Sequence, residues 1–465
     1  MTDGGLPDGG PIPAPFGPAQ LRFAPLLGRL TSPSATLILT SVATNVLRIG
    51  NTIVLTRLLS PADYGLIGII TAIFFAIVMI TDTGCQAFVV RHERGLEPTF
   101  LDTVWTIHVL RGVVNAALAI ALAMPLGALL GKPALAPMLA VAALSLAIDG
   151  AASMSLLTAL RRKMVRKLSL VDFAAFIVQL VTGLVAGWFL RNAWAIVIAI
   201  IAQSVTRAIA SFVLFPDALH RPRIDRPVAG ELWRFSRVIA ASSALTLAIS
   251  QVDRLVLARL FTLQQFGVYA IAGALATAPT VIASLYSSRI MFPVMSETWR
   301  VAPERLRQTF YGIRGRVFFG YLFAAGGLIG SASLVIRLLY DPRYADAASY
   351  LHLLAITTAM VMLTKPMNDL LISIGQIRAT FETNVVRICW LIAGAAVGYA
   401  VIGPMGIVAA LALIEVPAYL YCAFRLKRSG LYSPSHDLLA FGSIVAGVLV
   451  GSGGSAVILA ILPVR

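Results

Sequence analysis

Charge is scarce in this sequence. Asp, Glu, Lys and Arg make up 12% of its 465 residues, against about a quarter in a soluble domain. Acidic residues are scarcer still, 21 against 37 Lys and Arg. The three cysteines, Cys85, Cys389 and Cys422, lie too far apart for a metal site or a disulfide framework. The five histidines form no HExxH or paired pattern. No metal and no cofactor is therefore expected, and a metal enzyme is set aside. What fills the chain instead is apolar: 58% of it is hydrophobic. That is an all-α polytopic membrane protein, with room for twelve or more spans of about 20 residues.

The net charge of +16 does not indicate a nucleic-acid partner. The basic residues sit between apolar runs and form no patch interleaved with aromatics. Cytoplasmic loops obeying the positive-inside rule account for them.

Residues 1–30 read as a disordered cytoplasmic tail, rich in Gly and Pro, with no basic start and apolar core of a cleaved signal. Thirteen apolar runs follow: six between residues 34 and 215, six between 236 and 424, and a last at 438–462. They divide the chain into an N-lobe (31–217), a basic cytoplasmic linker (218–235), a C-lobe (236–425) and a C-terminal segment (426–465). That segment carries one further helix, or two, and Pro279, Pro366 and Pro417 mark expected kinks. With the N-terminus inside, alternating loops put about 25 basic residues on the inner side and about seven on the outer. The inner set includes Arg161, Arg162, Lys163 and Arg314; the outer set includes Lys132 and Arg343.

One stretch occurs twice. Asn51 to Gly65 ends in Arg57-Leu58-Leu59-Ser60 and Tyr64-Gly65, and Asp253 to Gly267 ends in Arg259-Leu260-Phe261-Thr262 and Phe266-Gly267. Upstream, Thr44 corresponds to Thr246, Arg48 to Ser250 and Asn51 to Asp253, at helical steps of three and four. Two six-helix bundles related by an internal repeat, with a polar path between them, are the arrangement this describes.

Five basic residues fall inside the spans: Arg48, Arg111, Arg207, Arg254 and Lys365. Facing lipid they would together cost about 12–17 kcal/mol, so they must face protein or water. Arg48 shares a face with Thr44 and Asn51 and is the foremost candidate for a cavity wall; Arg111, Arg207, Asp253 and Arg254 follow. Lys365 and Asp369, four apart, form either an internal ion pair or part of an ion-coupling site. Asp149 and Glu415 are protonatable, and either couple transport to an ion gradient or only bond helix to helix.

The hairpin Thr56-Arg57-Leu58-Leu59-Ser60-Pro61-Ala62-Asp63-Tyr64-Gly65 resembles a signature of polysaccharide-transport proteins. These are the Wzx-like flippases of the multidrug/oligosaccharidyl-lipid/polysaccharide exporter superfamily, whose fold is shared by multidrug exporters. The second copy and the basic stretch Leu160 to Lys167 are similar to further parts of that pattern. The resemblance implies a protein of the bacterial inner membrane that carries polyprenyl-diphosphate-linked oligosaccharide from the cytoplasmic to the periplasmic leaflet. Polysaccharide polymerase or export proteins would be its partners. Arginine suits that headgroup, because its planar fork donates paired hydrogen bonds to phosphate. A drug or metabolite exporter and a peptidoglycan-precursor flippase of the same superfamily are the near alternatives. A membrane glycosyltransferase or polymerase fits less well, for want of acidic clusters and long outer loops.

Overall fold

A computed structural model describes residues 33–215 and 219–461; the expected N-terminal tail lies outside them. Helices cover all thirteen apolar runs, and among the described residues there is no strand. The N-lobe comprises α1 (Pro33–Leu58), α2 (Pro61–Ile80), α3 (Cys85–Arg91), α4 (Pro98–Leu129), α5 (Leu135–Ala142), α6 (Leu144–Ala151), α7 (Ser155–Arg161), α8 (Val165–Leu190) and α9 (Trp194–Val213). The C-lobe comprises α10 (Arg226–Ser250), α11 (Val252–Leu260), α12 (Leu263–Tyr286), α13 (Phe292–Val301), α14 (Leu306–Gly330), α15 (Ala332–Leu339), α16 (Ala347–Ser373), α17 (Ile377–Ile402), α18 (Pro404–Ala412) and α19 (Glu415–Arg428). A last helix, α20, spans Pro434–Ile461. Among the described residues, eight helices are long and apolar enough to cross a membrane, or ten when two bent pairs are counted as spans.

The repeat read from sequence returns as matching local structure. Ser60 caps α2 by accepting from the Asp63 amide, and the Asp63 carboxylate accepts the Ser60 amide at 2.9 Å. Thr262 caps α12 with Gln265 in the same way, its amide donating at 3.0 Å. Both ends are capping boxes, which satisfy helix-start amides that have no partner within the helix.

One expectation is adjusted. The stretch read as a linker is already helical from Arg226, and the start of α10 packs Val228 and Leu232 with Phe88 and Phe100 of the N-lobe. α12 and α16 each run on as one helix through Pro279 and Pro366. Bends at helix breaks lie between α6 and α7 (51°) and between α14 and α15 (72°).

The lobes meet along α2 and α12. A Cβ placed on Gly65 would overlap the Leu263 carbonyl, and one on Gly267 would overlap that of Pro61, so only glycine allows this approach. The core continues from that crossing through Ile69, Ile70, Phe266 and Tyr344. On the far side of the C-lobe, α20 lies against α14 along a seam of Gly326, Gly330, Gly447 and Gly451. At one end of this seam, buried Arg314 donates to Asp437 at 2.6 Å, and Asp437 also accepts from Tyr419 at 2.7 Å.

Candidate functional site: a charged chamber between the lobes

Below the glycine crossing the lobes separate, and three adjoining cavities of about 660, 460 and 390 Å³ run from one lobe to the other. The first lies within the N-lobe between α1, α6, α8 and α9. The second lies between the lobes and shares Arg48, Phe176 and Gln203 with the first. The third lies in the C-lobe and shares Arg254, Tyr269 and Ala270 with the second. Each is of the size that small-molecule ligands occupy.

Arg48 stands at the junction of the first two cavities. It is exposed to them, and its guanidinium carbon lies 5.8 Å from the centre of the Phe176 ring. Among the described residues no carboxylate pairs with it, and none pairs with Arg254 on the facing wall. The helical spacing explains why Arg48 points inward: the neighbouring turns of α1 bring Thr44 and Asn51 to the same wall. Arg207 reaches the first cavity from α9, half-buried, with Asp172 of α8 accepting from it at 2.9 Å. Asp149 lines the same cavity and accepts from Ser204 at 3.1 Å.

The C-lobe wall is less cationic. Asp253, the counterpart of Asn51, accepts from the Tyr269 hydroxyl at 2.7 Å. Glu415 borders the third cavity, but Arg387 of α17 donates to it at 2.8 Å. Among the described residues, Arg48 and Arg254 thus form no ion pair where the lobes face each other, Arg254 having only the adjacent Asp253 as an electrostatic neighbour. A site of this kind attracts a compact polyanion, because cations in a low-dielectric cleft are poorly screened.

The remaining candidates lie elsewhere. Arg111 does not line the chamber. It donates to the Val78 carbonyl at 2.8 Å and to Thr81 Oγ1 at 3.3 Å, satisfying the C-terminal end of α2, whose last carbonyls lack partners within the helix. Lys365 pairs with Asp369 at 2.7 Å, and Ser287 donates to the same carboxylate at 2.6 Å. This is a packing node between α12 and α16, beside a small apolar cavity of about 100 Å³. Sequence reasoning missed the aromatic part of the wall, Phe176, Tyr64 and Tyr269. Tyr64 lies one turn before Gly68, another lining residue, so the repeated aromatic-Gly hairpin was the available signal.

Residues 54–349, more than half of the chain, match a family described as polysaccharide biosynthesis protein. Among curated proteins the chain is 22% identical over 367 residues to the lipopolysaccharide biosynthesis protein WzxC of Escherichia coli (strain K12), covering 78% of this chain and 74% of that one. It is also 22% identical over 354 residues to an uncharacterized membrane protein in the cps region of Klebsiella pneumoniae, covering 75% and 72%. Among solved structures it is similar to the lipid II flippase MurJ in an inward closed conformation, with a TM-score of 0.69, 13% identity and coverage of 91% and 98%. An inward-facing multidrug resistance MATE family transporter follows with a TM-score of 0.59, 14% identity and coverage of 83% and 95%. The chain belongs to the polysaccharide biosynthesis protein family, and its helical fold is similar to those of the lipid II flippase MurJ and the MATE family transporter.

Proposed function

We propose that this protein is a flippase for polyprenyl-diphosphate-linked oligosaccharide, moving it between leaflets of the bacterial inner membrane. In this reading the N-terminus is cytoplasmic, and polysaccharide polymerase or export proteins receive the product. The diphosphate enters the chamber while the polyprenyl chain stays in lipid, and rocking of the two lobes exposes the chamber first to one side, then to the other.

The single observation that carries this reading is Arg48, exposed in the chamber over Phe176 and held by no carboxylate among the described residues. An arginine kept free in an apolar bundle is costly unless an anion visits it. A diphosphate accepts its paired donors. A drug or metabolite exporter is less well supported, since a lipophilic cation would be repelled from this point. Family membership and the likeness to WzxC support the saccharide side of the reading.

The test is reconstitution of the purified protein in liposomes with labelled polyprenyl-diphosphate sugar, scored for movement between leaflets. The unmodified protein is expected to accelerate movement, and Arg48→Ala to reduce it at least tenfold at unchanged protein level. Normal movement by Arg48→Ala removes Arg48 from the site. Movement of polyprenyl-diphosphate muropeptide in preference to the oligosaccharide replaces this substrate with a peptidoglycan precursor.

A further inference from the structure

The end of the molecule above the chamber is closed by side chains that cross between lobes in opposite directions. Lys132, in the turn between α4 and α5 of the N-lobe, is 7% exposed. Its ammonium donates to Ala258 O at 2.6 Å and Phe261 O at 3.1 Å, both at the C-terminal end of α11 in the C-lobe, and to Leu130 O at 3.4 Å. An ammonium has three protons, and all three are placed. Arg343 and Tyr344, in the turn between α15 and α16 of the C-lobe, reach the other way. Arg343 Nη2 donates to Thr56 O at 3.2 Å, and the buried Tyr344 hydroxyl donates to Leu59 O at 3.0 Å.

The acceptors are counterparts in the repeat: Thr56 corresponds to Ala258, and Leu59 to Phe261. Each lobe therefore reaches the same two carbonyls at the end of α1 or α11 in the other lobe, and Arg343 adds a longer contact to Arg57 O at 3.4 Å. Those carbonyls are among the last of a helix, where backbone acceptors lack partners and a cation is favoured. Asp341 holds the Arg343 guanidinium from behind, accepting from Nε at 2.8 Å. Among the described residues no carboxylate pairs with Lys132, so its buried charge is satisfied by the carbonyls alone.

We propose that Lys132 on one side, and Arg343 with Tyr344 on the other, are a reciprocal pair of gate latches that hold this end of the transporter closed. The inference rests on the rocking-lobe reading above. Opening this end parts α1 from the C-lobe turn and α11 from the N-lobe turn, so both latches must release together. Water then takes over the ammonium and the freed carbonyls. Neither latch lines the chamber, although the Tyr344 ring packs edge-on against Tyr64 of its wall at 6.0 Å, so the residues position the gate without contacting substrate.

The experiment places spin labels at Ala134→Cys and Ala345→Cys, exposed positions in the two turns, with Cys389→Ser removing the exposed native thiol. The full chain is measured in lipid nanodiscs by double electron–electron resonance. In Lys132→Gln, and separately in Arg343→Gln/Tyr344→Phe, the share of molecules at the longer label separation is expected to rise at least threefold over the parent. Arg343→Lys, which keeps a cation, should restore most of the short separation. A distance distribution identical to the parent in the folded variants overturns the latch assignment. If Lys132→Gln does not fold, Arg343→Gln/Tyr344→Phe decides the matter by the same criterion. The liposome assay separates the two readings. A chain that opens on latch removal, yet never moves polyprenyl-diphosphate sugar in any form, upholds the latch and overturns the transport reading.

Discussion

Gly65 and Gly267, counterparts in the two halves of the chain, lie on each other's helices. A Cβ on either would overlap a carbonyl oxygen of the opposite helix, and the two carbonyls, Leu263 and Pro61, are themselves counterparts. Backbone cannot yield as a flexible side chain can. Gly65→Ala or Gly267→Ala is therefore expected to force α2 and α12 apart at a cost of about 1–3 kcal/mol. Thermal unfolding in detergent reads this directly. Equal stability of both variants with the parent would mean that the helices separate freely at this point.

The anchor of α20 is the second test. Arg314 and Asp437 are each 3% exposed at the side chain, with the Arg314 guanidinium over the Phe318 ring at 4.9 Å. Removing one partner leaves an uncompensated buried charge. Asp437→Ala should destabilise by about 3–5 kcal/mol, while Arg314→Met with Asp437→Leu together should cost much less. Urea or thermal unfolding of the three variants measures the difference. Equal losses in the single and double variants would mean the ion pair itself, not the orphaned charge, is what the fold requires.

A third prediction concerns pH. His220, in the segment between α9 and α10, accepts from the Met154 amide at 3.1 Å through Nε2. Burial lowers its pKa below the usual histidine value, and outweighs the opposing pull of Asp102 at 3.6 Å. A histidine whose folded pKa is depressed binds fewer protons folded than unfolded. Its contribution is present above the unfolded value of about 6.5 and declines as pH falls below it. It levels off once pH passes the folded value. Unfolding temperature should drop on acidification from about pH 8 to about pH 5, and His220→Gln should flatten that slope. An unchanged slope in the variant assigns the acid sensitivity elsewhere.

Arg111 and Arg48 should separate in a fourth experiment. Arg111 completes the end of α2, so Arg111→Ala is expected to lose about 1 kcal/mol of stability. Its movement of lipid-linked sugar per folded molecule should be unchanged. Arg48→Lys should keep normal stability and yet lose affinity for the diphosphate, because a point charge replaces a fork. Substrate titration in the liposome assay distinguishes an altered KM from an altered amount of folded protein.

The hairpins were legible in the sequence, because Ser60 with Asp63 and Thr262 with Gln265 act within one turn of chain. The inward face of α1 was legible too, since Thr44, Arg48 and Asn51 follow helical spacing and share the chamber wall. What spacing does not carry is the neighbour met in three dimensions. Arg111 and Arg207 are the same residue type in similar apolar runs, but one meets free carbonyls and the other a cavity. Arg314 counts as an inner-side charge by the loop rule, and folds instead as 3% exposed beneath α20. Lys132 and Arg343 count as outer-loop charges, whereas their role depends on helix ends in the opposite lobe.

A surface by which two related halves grip each other has to be self-complementary, because each half supplies both the projection and its recess. That is why the twin capping boxes, the crossed glycines and the matched pair of acceptor carbonyls agree so closely between the halves. In the flippase reading proposed above, a headgroup bearing a single sugar chain has no such twofold character, and a wall that mirrored itself would grasp it in two orientations. At the chamber the halves accordingly part company, Arg48 against Ser250 and Asn51 against Asp253. Likeness marks where the protein touches itself, and difference marks where it meets something else.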